Sequence, residues 1–302
     1  MTTSITVCPV CGSGPFTDLY AELVRCEECN FITAANLDVT ESFSDLYKED
    51  YFSGDEYADY FGDKKVIQKN LRKWLKVVHG YVPGGSLVEV GSAYGFFLQL
   101  AQEDFDVVGY EVDAEVVEAS RLIVKGDVRT ADFLTDNQTP DESVDAVVMW
   151  DVIEHLAEPD RFVERAAQIL RPGGYIFMTT GDIDAWLPRR QRAGWRLIHP
   201  PTHLQYFSAN TMKRLLERWD FEVVQIFHPG YWRTAQQILH GLFVFNKPNR
   251  PSIAYRILKN ILPSKMGIYL NTFDIMFVAA RKRVPDLQSA DSLTHHPGVS
   301  QS

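Results

Sequence analysis

Several things are scarce in this 302-residue chain, and each scarcity removes a class of function. No apolar run reaches the roughly 18 residues that a bilayer-crossing helix needs. The segment MTTSITVCPV has neither the charged n-region nor the apolar core of a secretory leader, so the expected compartment is cytoplasmic. Basic residues are outnumbered, 30 Lys and Arg against 40 Asp and Glu, for a net charge of −10. A chain of that balance has no global positive field for nucleic acid or anionic lipid, and no nucleic-acid partner is expected. Cysteine is confined to four residues, all within the first thirty.

Those four stand as Cys8-Pro-Val-Cys11 and Cys26-Glu-Glu-Cys29. Two C-x2-C pairs on a short linker place four thiolates at the tips of two turns, a set suited to tetrahedral Zn²⁺. No histidine or open ligand position accompanies them, so the expected site is closed and structural. Residues 1–38 therefore read as a zinc-ribbon module, with strands on either side of the second knuckle.

The most informative stretch is SLVEVGSAYGFFLQLA, residues 86–101, followed by VVGYEVD, residues 107–113. It reads as buried strand, small-residue turn, helix and second strand. Gly91, Ser92, Ala93 and Gly95 keep the turn free of bulk, so that backbone can approach a ligand at a helix N-terminus. Glu111 closes the second strand about twenty residues after the turn, where an acid takes the two hydroxyls of a ribose. Gly95 is succeeded by Phe96-Phe97 rather than by Lys and Ser or Thr, which excludes a kinase-type phosphate loop. The dinucleotide fingerprint is also unmet, because Ala93 stands between two glycines at alternate positions. Glu89, two residues before Gly91, is placed to accept from a cationic amine.

On these residues the chain resembles the class I S-adenosylmethionine-dependent methyltransferases, whose first motif runs [DE]-x-G-x-G-x-G, with Ala93 where glycine is usual. The likeness continues through ADFLTD (131–136) and through residues 143–182, including Arg171-Pro-Gly-Gly174 before an apolar strand. It implies an α/β, Rossmann-like seven-stranded sheet with helices on both faces, here preceded by the small ribbon. It also implies that S-adenosylmethionine is held by Glu89, Gly91, Ser92, Ala93, Tyr94, Gly95, Glu111, Val112, Asp132, Phe133, Trp150 and Asp151. Alternating patterns agree with strands at 86–90, 106–111, 127–131, 144–150 and 174–180, with helices at 95–103, 114–122 and 159–170. A further helix follows Ser208 as N-cap. The methyltransferase domain is expected over 84–281, behind an aromatic-rich lead-in and helix at 39–83. A disordered tail is expected at 282–302.

Methyl transfer from a sulfonium requires donor and acceptor in line and, for hydroxyl or carbon acceptors, a base. His155, just after the fourth strand, is one candidate. The segment P-P-x-H-L-x-Y-F-S around His203, together with Tyr47-Lys48-Glu49-Asp50-Tyr51-Phe52, resembles zinc-ribbon-bearing methyltransferases of polysaccharide and natural-product (sugar) pathways. In related deoxysugar C-methyltransferases a loop histidine works with a tyrosine, which nominates His203 and Tyr51. Thr202 stands where that family commonly has an acid, so oxygen methylation is as well supported as carbon methylation. The expected acceptor is a small molecule or glycan, with nucleotide- or lipid-linked sugars included. Arg189, Arg190, Arg192 and Arg196 could grip a phosphate, and the basic face of residues 64–76 reads as solvated. Residues 230–271 read as a two-helix insertion over the sheet edge, which also suits a lipid-linked substrate, a membrane surface or a partner subunit. Two other readings stay open, an RNA methyltransferase with a zinc module and a non-enzymatic module built on the cofactor fold.

Overall fold

The computed structural model describes residues 5–36, 63–235, 237–239 and 267–285. Strands β1 (Phe16–Asp18), β2 (Leu23–Cys26) and β3 (Ile32–Ala34) form the N-terminal antiparallel meander. Helix α1 (Lys64–Tyr81) follows, burying Asn70, Trp74, Leu75 and Val78. The alternating core then runs β4 (Gly85–Val90), α2 (Leu98–Ala101), β5 (Phe105–Glu111), α3 (Ala114–Arg121), β6 (Asp127–Thr130), β7 (Val144–Trp150), α4 (Pro159–Ile169) and β8 (Leu170–Gly181). After it come α5 (Trp186–Gln191), β9 (Gln205–Tyr206), α6 (Ala209–Arg218), β10 (Phe221–Phe227), β11 (Tyr231–Thr234), β12 (Gly267–Leu270) and β13 (Ile275–Lys282).

Seven strands make one sheet in the order β10-β13-β8-β7-β4-β5-β6. The five strands from β8 to β6 are parallel, and β13 enters antiparallel between β8 and β10. Both faces are covered, so the central strands are apolar on both sides. Val88, Val90, Val147 and Met149 belong to one buried cluster and Leu87, Ala146 and Val148 to the other. The order reverses at β4, and a crevice opens there beyond the carboxyl ends of the strands. Local chemistry agrees with these elements. Asp113 caps α3 by accepting from the Glu115 and Val116 amides, and Ser208 and Thr211 form a reciprocal capping box at α6.

The sequence pattern and the structure differ in three places. The helix expected at 95–103 is the single turn Leu98–Ala101, because the left-handed Gly95 (φ +69°) keeps the turn open before the helix starts. Strand β8 starts at Leu170 rather than 174, since the Arg-Pro-Gly-Gly segment bulges out between the Val144–Leu170 and Ala146–Tyr175 pairs. The two ends of the supposed helical insertion, Tyr231–Thr234 and Gly267–Leu270, are paired antiparallel strands. Asn70 of α1 fixes that hairpin: its side-chain amide donates to the Trp232 carbonyl (2.9 Å) and accepts from the Trp232 amide (2.8 Å). The basic face of α1 is engaged by the same hairpin. Lys69 lies 3.0 Å over the Trp232 ring, and Lys73 donates to the Gly230 carbonyl.

The N-terminal meander is not a separate body. Strand β3 pairs with β9, so its sheet extends to four strands with the last supplied by the segment after α5. Phe31 packs against Phe207 at 5.1 Å, and Arg218 of α6 donates to the Pro9 carbonyl.

Gly95 is one of the positions at which the fold has no room for a side chain. A Cβ there would meet Ser120 Oγ and come within 2.7 Å of Val124 Cγ2, on a backbone already at positive φ. Gly95→Ala is expected to cost about 2–4 kcal/mol of folding stability, read as a lowered urea midpoint with unchanged slope.

Candidate active site

The crevice beyond β4, β5 and β7 deepens into a cavity of about 420 Å³. Its floor is the turn after β4. Gly91 and Ser92 donate their amides to the Tyr110 carbonyl of β5 (2.9 and 3.0 Å), and Gly95 donates to the Ser92 carbonyl (2.8 Å). A Cβ on Gly91 would come within 2.7 Å of Val152 Cγ2 on the opposite lip, so only glycine keeps the two lips this close. Ala93 also has a left-handed backbone (φ 42°). Its amide donates to Glu111 Oε2 at 3.0 Å, and that bond helps hold an alanine where glycine is the easier residue.

Two carboxylates face this floor. Glu111 accepts from the Ala93, Val112 and Asp113 amides. Burial nevertheless raises its pKa against those hydrogen bonds. Glu89 is 3% exposed, and burial, together with the Glu111 charge, pushes its pKa well above the ordinary carboxylate value. Among the described residues, Glu89 Oε2 and Ser92 Oγ have no hydrogen-bond partner. A buried carboxylate oxygen and hydroxyl left without partners at the mouth of a small-residue turn define a place for a polar, cationic ligand.

Of the sequence-predicted cofactor residues, Glu89, Gly91, Ser92, Ala93, Glu111, Val112, Asp132, Phe133, Trp150 and Asp151 all line the cavity. Tyr94 and Gly95 do not. Tyr94 stacks on Phe96 (6.1 Å), and Gly95 gives the turn its shape from behind. Asp151 sits at the end of β7 with positive φ (53°). Its amide donates to Thr179 Oγ1 (3.1 Å), and the Thr179 hydroxyl donates back to Asp151 Oδ1 (2.8 Å). The far wall comes from residues that the motifs do not mark: Val66, Ile67 and Trp74 of α1, and Tyr231, Trp232 and Arg233 of β11. The helical period of α1 was legible, but nothing in it distinguishes a face that packs on a sheet from one that walls a cavity.

The candidate bases lie elsewhere. His155 and His203 are 2% and 4% exposed, with rings edge to face at 4.6 Å, and neither lines the cavity. Tyr51 is outside the described residues. Of the candidate phosphate-gripping arginines, Arg196 pairs with the buried Asp274 (3.1 Å) and Arg189 with Asp184 (3.5 Å).

The four cysteines converge at the tips of the β1–β3 meander. Cys8 and Cys29 Sγ are 3.6 Å apart, as are Cys11 and Cys26 Sγ, with all four sulfurs within 4.8 Å of one another. Sulfurs on the corners of a tetrahedron with ~2.3 Å metal bonds are separated by ~3.8 Å, so the set fits a metal without rearrangement. Burial raises the Cys29 thiol to about 11 and Cys8 further still, whereas at Cys11 burial is outweighed by the Ser13 amide and neighbouring thiols, which lower it.

The comparisons with known proteins bear on this geometry. Residues 64–226 match the family described as "Methyltransferase domain", more than half of the chain. The chain belongs to that family, the S-adenosylmethionine-dependent methyltransferases. It is similar to a probable S-adenosylmethionine-dependent methyltransferase of Mycolicibacterium smegmatis, 31% identical over 150 residues, covering 48% of this chain and 56% of that one. It is also similar to a ubiquinone biosynthesis O-methyltransferase of Chelativorans sp., 29% identical over 140 residues, covering 39% and 54%. The chain thus spans about half the length of these curated relatives. A SAM-dependent methyltransferase structure from Archaeoglobus fulgidus shares the fold, with a TM-score of 0.51 at 16% identity over 80% of this chain and 100% of that one. No helix among the described residues is long and apolar enough to cross a membrane.

With Glu89 as the expected partner of the cofactor's amine, cofactor binding is expected to depend on pH. The raised pKa of Glu89 means that the folded protein without cofactor holds a proton there that the unfolded chain has released, so its burial costs stability increasingly as pH rises from the ordinary carboxylate range. Glu89→Gln is expected to stabilise the cofactor-free protein at neutral pH, with the difference vanishing below the unfolded carboxylate pKa. The same change should weaken S-adenosylmethionine binding roughly tenfold or more by calorimetry. In the unsubstituted protein that affinity should fall as acid protonates Glu89.

Proposed function

We propose that this methyltransferase carries the methyl group of S-adenosylmethionine to a small-molecule or glycan acceptor, with an oxygen nucleophile favoured. The observation that carries the reading is the make-up of the cavity lining. One set, Glu89, Ser92, Glu111 and Asp132, is polar; the other, Trp74, Trp150, Tyr231 and Trp232, is aromatic, with Trp74 and Tyr231 in ring contact. The first set suits the cationic, hydroxyl-bearing cofactor. The second suits a flat or ring-shaped acceptor, since aromatic faces bind apolar or sugar surfaces at little entropic cost. The relatives named as ubiquinone biosynthesis O-methyltransferases favour oxygen as the acceptor atom.

When bound, the cofactor supplies an already activated methyl on a sulfonium. The protein has to orient the two partners and exclude water. Glu89 would accept from the amine, Glu111 from the ribose hydroxyls, and Asp132 and Phe133 would flank the base. Asp151, pinned by Thr179, lines the same cavity. His155 and His203, nominated for proton removal by the resemblance to sugar methyltransferases, are buried and do not line the cavity, so no proton step is assigned to them. A structural Zn²⁺ on Cys8, Cys11, Cys26 and Cys29 completes the reading.

Saturating S-adenosylmethionine is expected to raise the melting temperature by roughly 5–10 °C. With methyl-labelled cofactor and a panel of phenolic, catecholic and sugar acceptors, label should pass to at least one hydroxyl compound. A melting shift with no transfer to any acceptor, including those in a cell extract, would favour a non-catalytic module. Absence of the shift would remove the cofactor assignment itself.

A further inference from the structure

The sequence motifs nominate His155 and His203, and the cavity uses neither; the structure places them in a second constellation. A 3-10 turn after β7 presents Glu154 and His155, and the segment leading into β9 presents His203. All three are buried, at 5%, 2% and 4% exposure, and each brings a ligand atom within 4.8 Å of those of the other two. His199 stacks on the His203 ring at 3.9 Å.

The tautomers are fixed by chemistry. His155 Nδ1 lies 2.9 Å from the Thr202 carbonyl oxygen, and His203 Nδ1 lies 2.9 Å from the Leu197 carbonyl oxygen. A carbonyl only accepts, so both Nδ1 atoms carry hydrogen, and ligation by either ring falls to Nε2. Imidazoles that bind metals are held in this way, with the second ring nitrogen donating to a carbonyl that sets ring orientation and raises ligand basicity. The backbone is pinned around both segments. The Leu204 amide donates to the Glu154 carbonyl (2.8 Å), the Tyr206 hydroxyl to the His203 carbonyl (2.9 Å), and the Gln205 side chain to the Leu156 carbonyl (2.9 Å).

We propose that Glu154, His155 and His203 form a second metal site, distinct from the four cysteines, which takes a divalent first-row transition ion such as Zn²⁺. Two imidazoles with one carboxylate select that class over Mg²⁺ or Ca²⁺, which prefer all-oxygen shells. Bonds of ~2.0 Å bring tetrahedral ligand atoms to ~3.3 Å from one another, so the three side chains would draw together around the ion. The ion would tie the segment before β9 to the turn that continues into Leu156, Ala157 and Glu158 of the cavity wall. Its role is to hold that wall.

The test is metal content on the full chain, reconstituted with excess Zn²⁺ and desalted. Wild type should hold one equivalent that disappears in both Glu154→Gln and the His155→Gln/His203→Gln double variant, while the equivalent on the cysteines persists. With Co²⁺ in place of Zn²⁺, the intense thiolate charge-transfer absorption should survive in these variants and the weaker visible bands of the nitrogen–oxygen site should vanish. Glu154→Gln keeps shape and volume, and its melting shift with S-adenosylmethionine reports whether the fold is intact. Metal content unchanged by Glu154→Gln in folded protein overturns the proposal. A single equivalent in wild type that Glu154→Gln removes would sustain this site and remove the cysteine one.

Discussion

Glu89 constrains the rest of the active site because the sheet buries it near the carboxyl end of β4, beside a second acid. Strand β4 needs apolar residues on both faces, and Leu87, Val88 and Val90 provide them; an acid among them costs free energy in the protein alone. A cationic ligand beside Glu89, as proposed above, would offset that cost. Everything nearby conforms. Gly91 lets the lip carrying Val152 close over the floor, Ala93 accepts a left-handed backbone to reach Glu111, and Glu111 satisfies three amides with one side chain.

How far the sequence revealed this site depends on the distance over which each feature is determined. The turn from Gly91 to Gly95 and the acid at Glu111 lie within one β-α-β unit. Their relation is set by local geometry, so ten of the twelve predicted cofactor residues line the cavity. The sheet was legible for the same reason, since alternating strands and helices admit few topologies. The far wall was not. Strand β11 pairs with β12 across more than thirty residues, and Asn70 docks that hairpin from another part of the chain. Four residues such as Tyr231–Thr234, followed by an apolar stretch at helical spacing, carry no local sign of that pairing. Strand β9 is shorter still, two residues whose extended state is imposed by Thr33 and Ile32 on the neighbouring strand.

The β3–β9 pairing changes what the N-terminal meander is. A module tethered by a linker would leave the methyltransferase fold indifferent to it. Here the Ala34 amide and the Thr33 hydroxyl both donate to the Leu204 carbonyl (2.8 and 3.0 Å), and the Leu204 amide donates to the Glu154 carbonyl. From Glu154 the chain passes directly into Leu156, Ala157 and Glu158, which face the cavity. The path from the cysteine cluster to the cavity wall is thus a continuous run of backbone hydrogen bonds, with Gln205 bracing it through the Leu156 carbonyl. Such a run transmits position, because buried amides and carbonyls cannot exchange partners with water without leaving a group unsatisfied.

Three places then share one physical feature. Glu89, the cysteine cluster, and Glu154 with its two histidines each gather side chains able to bind a cation. At Glu89, under the proposed function, the cation would arrive with the cofactor and leave with its product, and Glu89 lines the cavity. At the cysteines nothing but sulfur is present and the tips of the turns close over it, so the expected ion is resident. Glu154 falls between the two. It does not line the cavity, and it is flanked by histidines fixed through their Nδ1 hydrogens. A resident ion there would make the wall of the cavity as rigid as the meander behind it, leaving the α1 and β11 side as the part of the enclosure able to adjust to an acceptor.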